Sequence, residues 1–339
     1  MKFGPVAVGA AQGTVLGHSV KLPEGALRKG KRLGPAEIAL LEAAGLASVI
    51  VARLEAGDVA EDEAAQRMAE ALAGAQVEIA PANTGRSNLY SRHAGVVVID
   101  APRIDAMNAV DEGLTVATLR PYDVVTDGQM LATIKVIPYA VRRTALEEVL
   151  ERAEGGVPAI SVAAFRGLSV GLIMTRLPDT RASVLAKMRA AVQKRLTPLL
   201  AQLSVESVVA HEAEVLGAAI ESMVLRPDVG AILISGVAAT VDRADVVPAA
   251  VERAGGTLLH VGMPVDPGNL LLLASLQRAD SRCMVVGIPT CARSPKLNGF
   301  DFVLRRLAAG IDVSSADLRA MGVGGLLTEI PSRPMPRGF

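Results

Sequence analysis

Between residues 166 and 310 the chain alternates short, continuously apolar runs with longer amphipathic ones. No other feature restricts the fold as much. The apolar runs are "SVGLIMT" (169–175), "VESVVAH" (205–211), "VGAILIS" (229–235), "TLLHVG" (257–262) and "CMVVG" (283–287). Strands that stay apolar without alternation are strands buried on both faces, as in a parallel sheet covered by helices. The intervening segments carry helical patterning: "RASVLAKMRAAVQKRLTPLLAQL", which Pro198 bends or interrupts, "EAEVLGAAIESMVL", "ADVVPAAVERAGG" and "LNGFDFVLRRLAAG". The pattern predicts an α/β domain over 166–330, a mostly parallel sheet covered by helices on both faces.

The first half is less regular and reads as an α+β domain over 1–165. Helices are expected after Pro35 and stopping at Gly45, over "DVAEDEAAQRMAEALAG" with its acidic first turn, over "PRIDAMNAVDEG" and over "RRTALEEVLERAEGG". Strands are expected at "ASVIVARL", "VVVID", "LTVATL" and "QMLATIKVIPYAV". "TGRSNLYSRHAG" (84–95), with Arg86, Asn88 and Arg92, reads as a polar loop able to act as a lid. Residues 331–339, rich in Pro and Arg, read as an extended tail.

Composition narrows the function classes. Lys plus Arg and Asp plus Glu number 35 each, so no global field attracts nucleic acid or an anionic membrane. No apolar run reaches the ~18 residues of a membrane span, and no signal-peptide core opens the chain. The two cysteines, Cys283 and Cys291, have neither zinc nor disulfide spacing, which fits a reducing cytoplasm. The four histidines, His18, His93, His211 and His260, form no ligand pair at helical spacing. The phosphate-binding P-loop, the dinucleotide fingerprint and the hydrolase elbow are all missing.

In an open parallel sheet, ligands sit beyond the carboxyl ends of the strands. Three loops leave strands there. "SGVAATVDRAD" (235–245) offers Ser235 and Gly236 for close backbone approach, then Asp242, Arg243 and Asp245 before a helix. Those aspartates suit either a helix cap or a divalent metal beside a phosphate. "GMPVDPGNL" (262–270) holds Pro264, Asp266, Pro267, Gly268 and Asn269 in a stiffened turn. "GIPTCARSPKLNGFD" (287–301) gathers Gly287, Pro289, Thr290, Arg293, Ser294, Lys296 and Asn298, a dense set of anion-seeking groups. One rim carrying all three is a candidate binding site.

The succession "SG…DRADVVPAA", "MPVDPGN", "GIPTCARSPK" resembles the molybdopterin-binding domain of molybdenum-cofactor biosynthesis proteins. "GHSVKLPEGALRKGKRL", "VARLEAGDVAEDEAA", "GRSNLY" and "MGVGGLLTEIPSRP" extend the likeness to a subgroup often joined to a nucleotidyltransferase domain and similar to molybdopterin molybdotransferases. The nucleotidyltransferase signature itself is missing. Ser235 and Thr290 stand where glycines are commoner in that family. The resemblance implies that the domain over 166–330 is a three-layer α/β/α, doubly wound unit, with a phosphate held by the glycine turns beside Arg293, Ser294 or Lys296, and with Asp242 or Asp245 catalytic and placing Mg²⁺. It implies molybdopterin as substrate or ligand, with molybdate and ATP as possible co-substrates. Two roles stay open: an enzyme of molybdate insertion or phosphate activation, and a non-catalytic carrier of molybdopterin or the finished cofactor. Partners of the same pathway and a cytoplasmic homo-oligomer complete the expectation.

Overall fold

A computed structural model describes residues 1–279 and 281–327. The chain divides into two compact units, Met1–Ala163 and Ala164–Phe339. The expected tail at 331–339 lies outside the described residues.

The first unit mixes helices with antiparallel sheets. Strands Lys2–Ala7, Ser48–Arg53 and Val15–Leu16 form one sheet, whose small core includes Leu16, Leu33 and Leu41. Strands Leu114–Thr118, Met130–Val136, Arg86–Ser91 and Val77–Ile79 form another, in that order. Its inner face shares a core with helices Glu61–Leu72, Ala101–Asn108 and Arg143–Ala153.

Arg86–Ser91 corrects the sequence reading, which made this segment a polar loop. The run alternates as a half-buried strand does, but serine fills two of its three inward positions: Ser87 (1% exposed), Leu89 (0%) and Ser91 (2%). Both hydroxyls have acceptors, Ser87 Oγ donating to the Ala80 carbonyl at 2.8 Å and Ser91 Oγ to the His93 carbonyl at 2.6 Å. A satisfied hydroxyl tolerates burial, so polarity hid the period-2 pattern.

The second unit is built on a six-stranded sheet. Its strands are β1 (Ser169–Arg176), β2 (Gln202–Ala210), β3 (Ala231–Ser235), β4 (Thr257–Val261), β5 (Leu272–Gln277) and β6 (Arg282–Gly287). They lie in the order β2-β1-β3-β6-β5-β4. β1 pairs in parallel with β2 and β3, and β3 with β6, while β5 runs antiparallel to β4 and β6. The sheet is therefore mostly parallel.

Helices α1 (Ala182–Leu196) and α4 (Gly299–Ala308) share one core with the sheet through Met188, Val192, Phe300 and Val303. Helices α2 (Ala213–Val224) and α3 (Val246–Arg253) share the other through Leu216, Ile220, Val247 and Val251. A short helix, α5 (Ser315–Ala320), follows.

Pro198 interrupts the long helical segment, and the helix ends at Leu196. Pro198 lies in a 3₁₀ turn, Thr197–Leu199, and Leu200 takes the left-handed conformation at φ 52°. β5 is a strand absent from the apolar runs that the sequence pattern picks out. Its run, "LLASLQ", follows the glycine-proline turn so closely that no separate turn signal precedes it. Among the described residues no helix is long and apolar enough to cross a membrane.

Candidate functional site

The pairing registers place the three loops on one edge of the sheet. Met174 of β1 stands beside Ser235 of β3, Ile234 beside Gly287 of β6, Gly287 beside Leu272 of β5, and Leu272 beside Val261 of β4. The loops at 236–245, 262–271 and 288–298 leave from this line. β5 starts on it because it is antiparallel.

Arg293 occupies the middle of the rim, at the end of the 3₁₀ turn Thr290–Arg293. Its Nη2 donates to the carbonyls of Gly236 at 2.7 Å and Val237 at 3.0 Å, tying the third loop to the first. Its Nε is buried without a hydrogen-bond partner. Burial lowers the guanidinium's hold on its proton, and no carboxylate among the described residues offsets that. A half-buried cation bonded only to neutral carbonyls is an unpaired charge, which natural structures seldom keep without a purpose. Behind it lies a cavity of about 10 Å³ lined by Ser235, Ile288, Ala292, Arg195 and Phe300. That is room for one water and for nothing larger.

The rest of the third loop is held from beneath. Arg195 of α1 forms an ion pair with Asp301 at 2.8 Å and donates to the carbonyls of Ser294 at 2.8 Å and Lys296 at 3.1 Å. Its side chain is 8% exposed. The side chains of Ser294 and Lys296 remain on the surface. Asn298, 1% exposed, caps α4: its Oδ1 accepts from Phe300 N at 3.0 Å, and Asp301 accepts from Asn298 N at 2.8 Å. Asn298 therefore belongs to the helix start. Gly287 is inside β6, where a Cβ would meet that of Leu272 at 2.8 Å. Pro289 is buried and Thr290 partly so.

The second loop packs against α4. Gly299 N donates to the Pro267 carbonyl at 2.8 Å. The Asp266–Pro267 peptide is cis, and Gly268 has φ 140°. Asp266 N bonds the Gly325 carbonyl at 3.0 Å, and Met263 N the Asn269 carbonyl at 2.8 Å. Pro264 and Asn269 are exposed.

The aspartates of the first loop turn to the backbone. Asp245 caps α3, its Oδ1 accepting from Val246 N at 2.7 Å and its Oδ2 from Val241 N at 3.1 Å. Asp242 Oδ1 accepts from Ala244 N at 2.7 Å. Asp242 and Arg243 are exposed. Among the described residues no group of three or more His, Cys, Asp or Glu side chains is placed to hold a metal ion. With both oxygens of Asp245 already engaged, this donor set does not fit Mg²⁺ as it stands.

Sequence reasoning missed three contributors. Arg195 lay within a helix and carried no loop signal. Thr175 is the penultimate residue of β1, fully buried. Its Oγ1 accepts from Val237 N at 2.9 Å and stands 2.9 Å from Nδ1 of His211. His211, passed over as one of four scattered histidines, follows β2 directly, and its backbone N–H bonds the Arg176 carbonyl at 3.0 Å. The one available signal was position: both end apolar strands on the ligand-facing side.

Comparison with known proteins adds little. A family model described as a domain of unknown function (DUF8806) matches residues 5–53. No curated protein matches the sequence. Among solved structures, one described as the crystal structure of molybdenum cofactor biosynthesis protein B is 13% identical, with a TM-score of 0.31, over 43% of this chain and 96% of that one. A likeness that slight carries no argument about the site.

Proposed function

We propose that this chain binds a phosphorylated pterin of the molybdopterin class at the carboxyl edge of its second-unit sheet. Its role is that of a carrier or binding module in molybdenum-cofactor biosynthesis. The observation that supports this most is Arg293, a half-buried guanidinium with an orphaned Nε and no acidic partner, in the middle of three converging loops. An anion arriving from the solvent side supplies the missing charge. The sequence resemblance supplies the pterin.

The aspartates support the carrier reading. Both oxygens of Asp245 and Oδ1 of Asp242 accept from backbone N–H groups, which favours binding over Mg²⁺-assisted molybdate insertion or ATP-dependent phosphate activation.

Calorimetric titration with molybdopterin tests the reading on wild type, Arg293→Ala and Asp245→Asn. Wild type binds, Arg293→Ala binds about tenfold or more weakly, and Asp245→Asn binds as wild type does. Turnover with molybdate, ATP and Mg²⁺ that Asp245→Asn abolishes would establish the enzyme instead. A wild type that ignores the pterin ends the assignment.

A further inference from the structure

The Thr175–His211 pair determines more than the anchoring of a loop. Thr175 is 0% exposed, and its Oγ1 has two neighbours: the Val237 N–H, which donates to it, and Nδ1 of His211. A hydroxyl has a single proton to give, and a buried one needs an acceptor. Val237 N–H cannot accept. Nδ1 of His211 is the acceptor its bonds provide, so the proton of the neutral ring lies on Nε2.

Among the described residues no protein group bonds Nε2, and it is not among the buried atoms left without a partner. It is therefore an N–H donor open to solvent. The ring's Cε1 lies 4.0 Å from where a side chain on Gly236 would begin. The carbonyl of that same glycine accepts from Arg293 at 2.7 Å. Gly236 thus has the imidazole close to it and the guanidinium bonded to its carbonyl. A side chain at 236 would also meet the Ala238 carbonyl at 3.0 Å, so the glycine lets these groups pack closely.

We infer that His211, its neutral ring protonated on Nε2, is a ligand-contacting donor of this rim and forms with Arg293 a two-sided anchor for a terminal phosphate. Thr175 is its positioning residue. The inference rests on the phosphate reading above and adds to it a residue and a protonation state.

Long-range ¹H–¹⁵N spectra of the imidazoles, recorded at alkaline pH during titration with inorganic phosphate, test it. His211→Phe identifies the signals and reports affinity alongside Arg293→Ala. The expected result is an unprotonated Nδ1 and a protonated Nε2 in the free protein. His211 signals then move saturably with phosphate, and His211→Phe weakens binding about tenfold. A ring protonated on Nδ1 overturns the inference, and that observation needs no variant to fold. Phosphate binding that Arg293→Ala weakens, while His211 signals stay still, overturns it and leaves the phosphate reading standing. Saturable movement of His211 with an unaffected Arg293→Ala overturns the two-sided anchor. Absence of binding by wild type overturns both.

Discussion

Replacing Gly268 with alanine separates the structural part of the second loop from any ligand-binding part. Gly268 has φ 140°, a region that side-chain-bearing residues rarely adopt. That strain alone is worth about 1–3 kcal/mol. The new Cβ would also lie 2.7 Å from Gly299 N and 2.8 Å from Gly299 Cα, where real contacts essentially never fall. Both atoms are backbone at the first turn of α4, so neither moves alone. Relieving the contact pulls the loop off the helix and breaks the 2.8 Å bond from Gly299 N to the Pro267 carbonyl, about another 1 kcal/mol. Gly268→Ala should therefore lose roughly 2–4 kcal/mol, a large share of a typical domain's roughly 5–15 kcal/mol. The assay is urea unfolding followed by circular dichroism, comparing midpoints at unchanged slope. A loss below about 1 kcal/mol would refute the reasoning, because the turn would then be free to move away from α4. Reduced pterin binding at undiminished stability would make Gly268 a ligand contact rather than a packing residue.

Two further outcomes follow from the two units. Leu89→Ala should cost about 2–5 kcal/mol in the same assay, because Leu89 is 0% exposed inside a strand; a change within about 0.5 kcal/mol would return 84–95 to the status of a surface loop. His260, on β4, has its Nδ1 2.9 Å from Ser315 Oγ, and burial, then Arg319 and Arg243, lower its proton affinity below the ordinary 6.5. The unfolded chain therefore takes up that proton first as pH falls through 6.5, and the stability from the neutral ring is present above that pH and lost below it. His260→Gln should flatten the fall in urea midpoint between about pH 7.5 and 5.5; an unchanged slope would refute the assignment.

The second unit's architecture was largely legible in the chain because its signal is local. A strand buried on both faces needs an uninterrupted apolar run, and β1, β3 and β6 announce themselves that way; β2 and β4, at the two edges of the sheet, are only partly covered and are marked by apolar residues of lower density. β5 was lost because "LLASLQ" adjoins a turn whose own residues dominate the reading, and its antiparallel sense has no local signature at all. Arg86–Ser91 was lost for the opposite reason. Its buried face is polar, and only the carbonyls of Ala80 and His93, brought to the two serine hydroxyls by the folded backbone, make that face tolerable.

The candidate site divides along the same line. Residue types and order put anion-seeking groups after three strands, and that much needs only the chain. Which of them hold the fold and which are left over depends on partners far along it. Arg195, Asp301 and the Ser294 carbonyl meet across about a hundred positions, and α4 claims Asn298 and Gly268. Arg293 is the exception that only the tertiary structure reveals, since an unpaired charge is defined by every group that fails to reach it. His211 is the other. Its proton position depends on a hydroxyl 36 residues away, which is itself committed to the first loop. Local sequence sets propensity, but burial and hydrogen-bond satisfaction are properties of the assembled core.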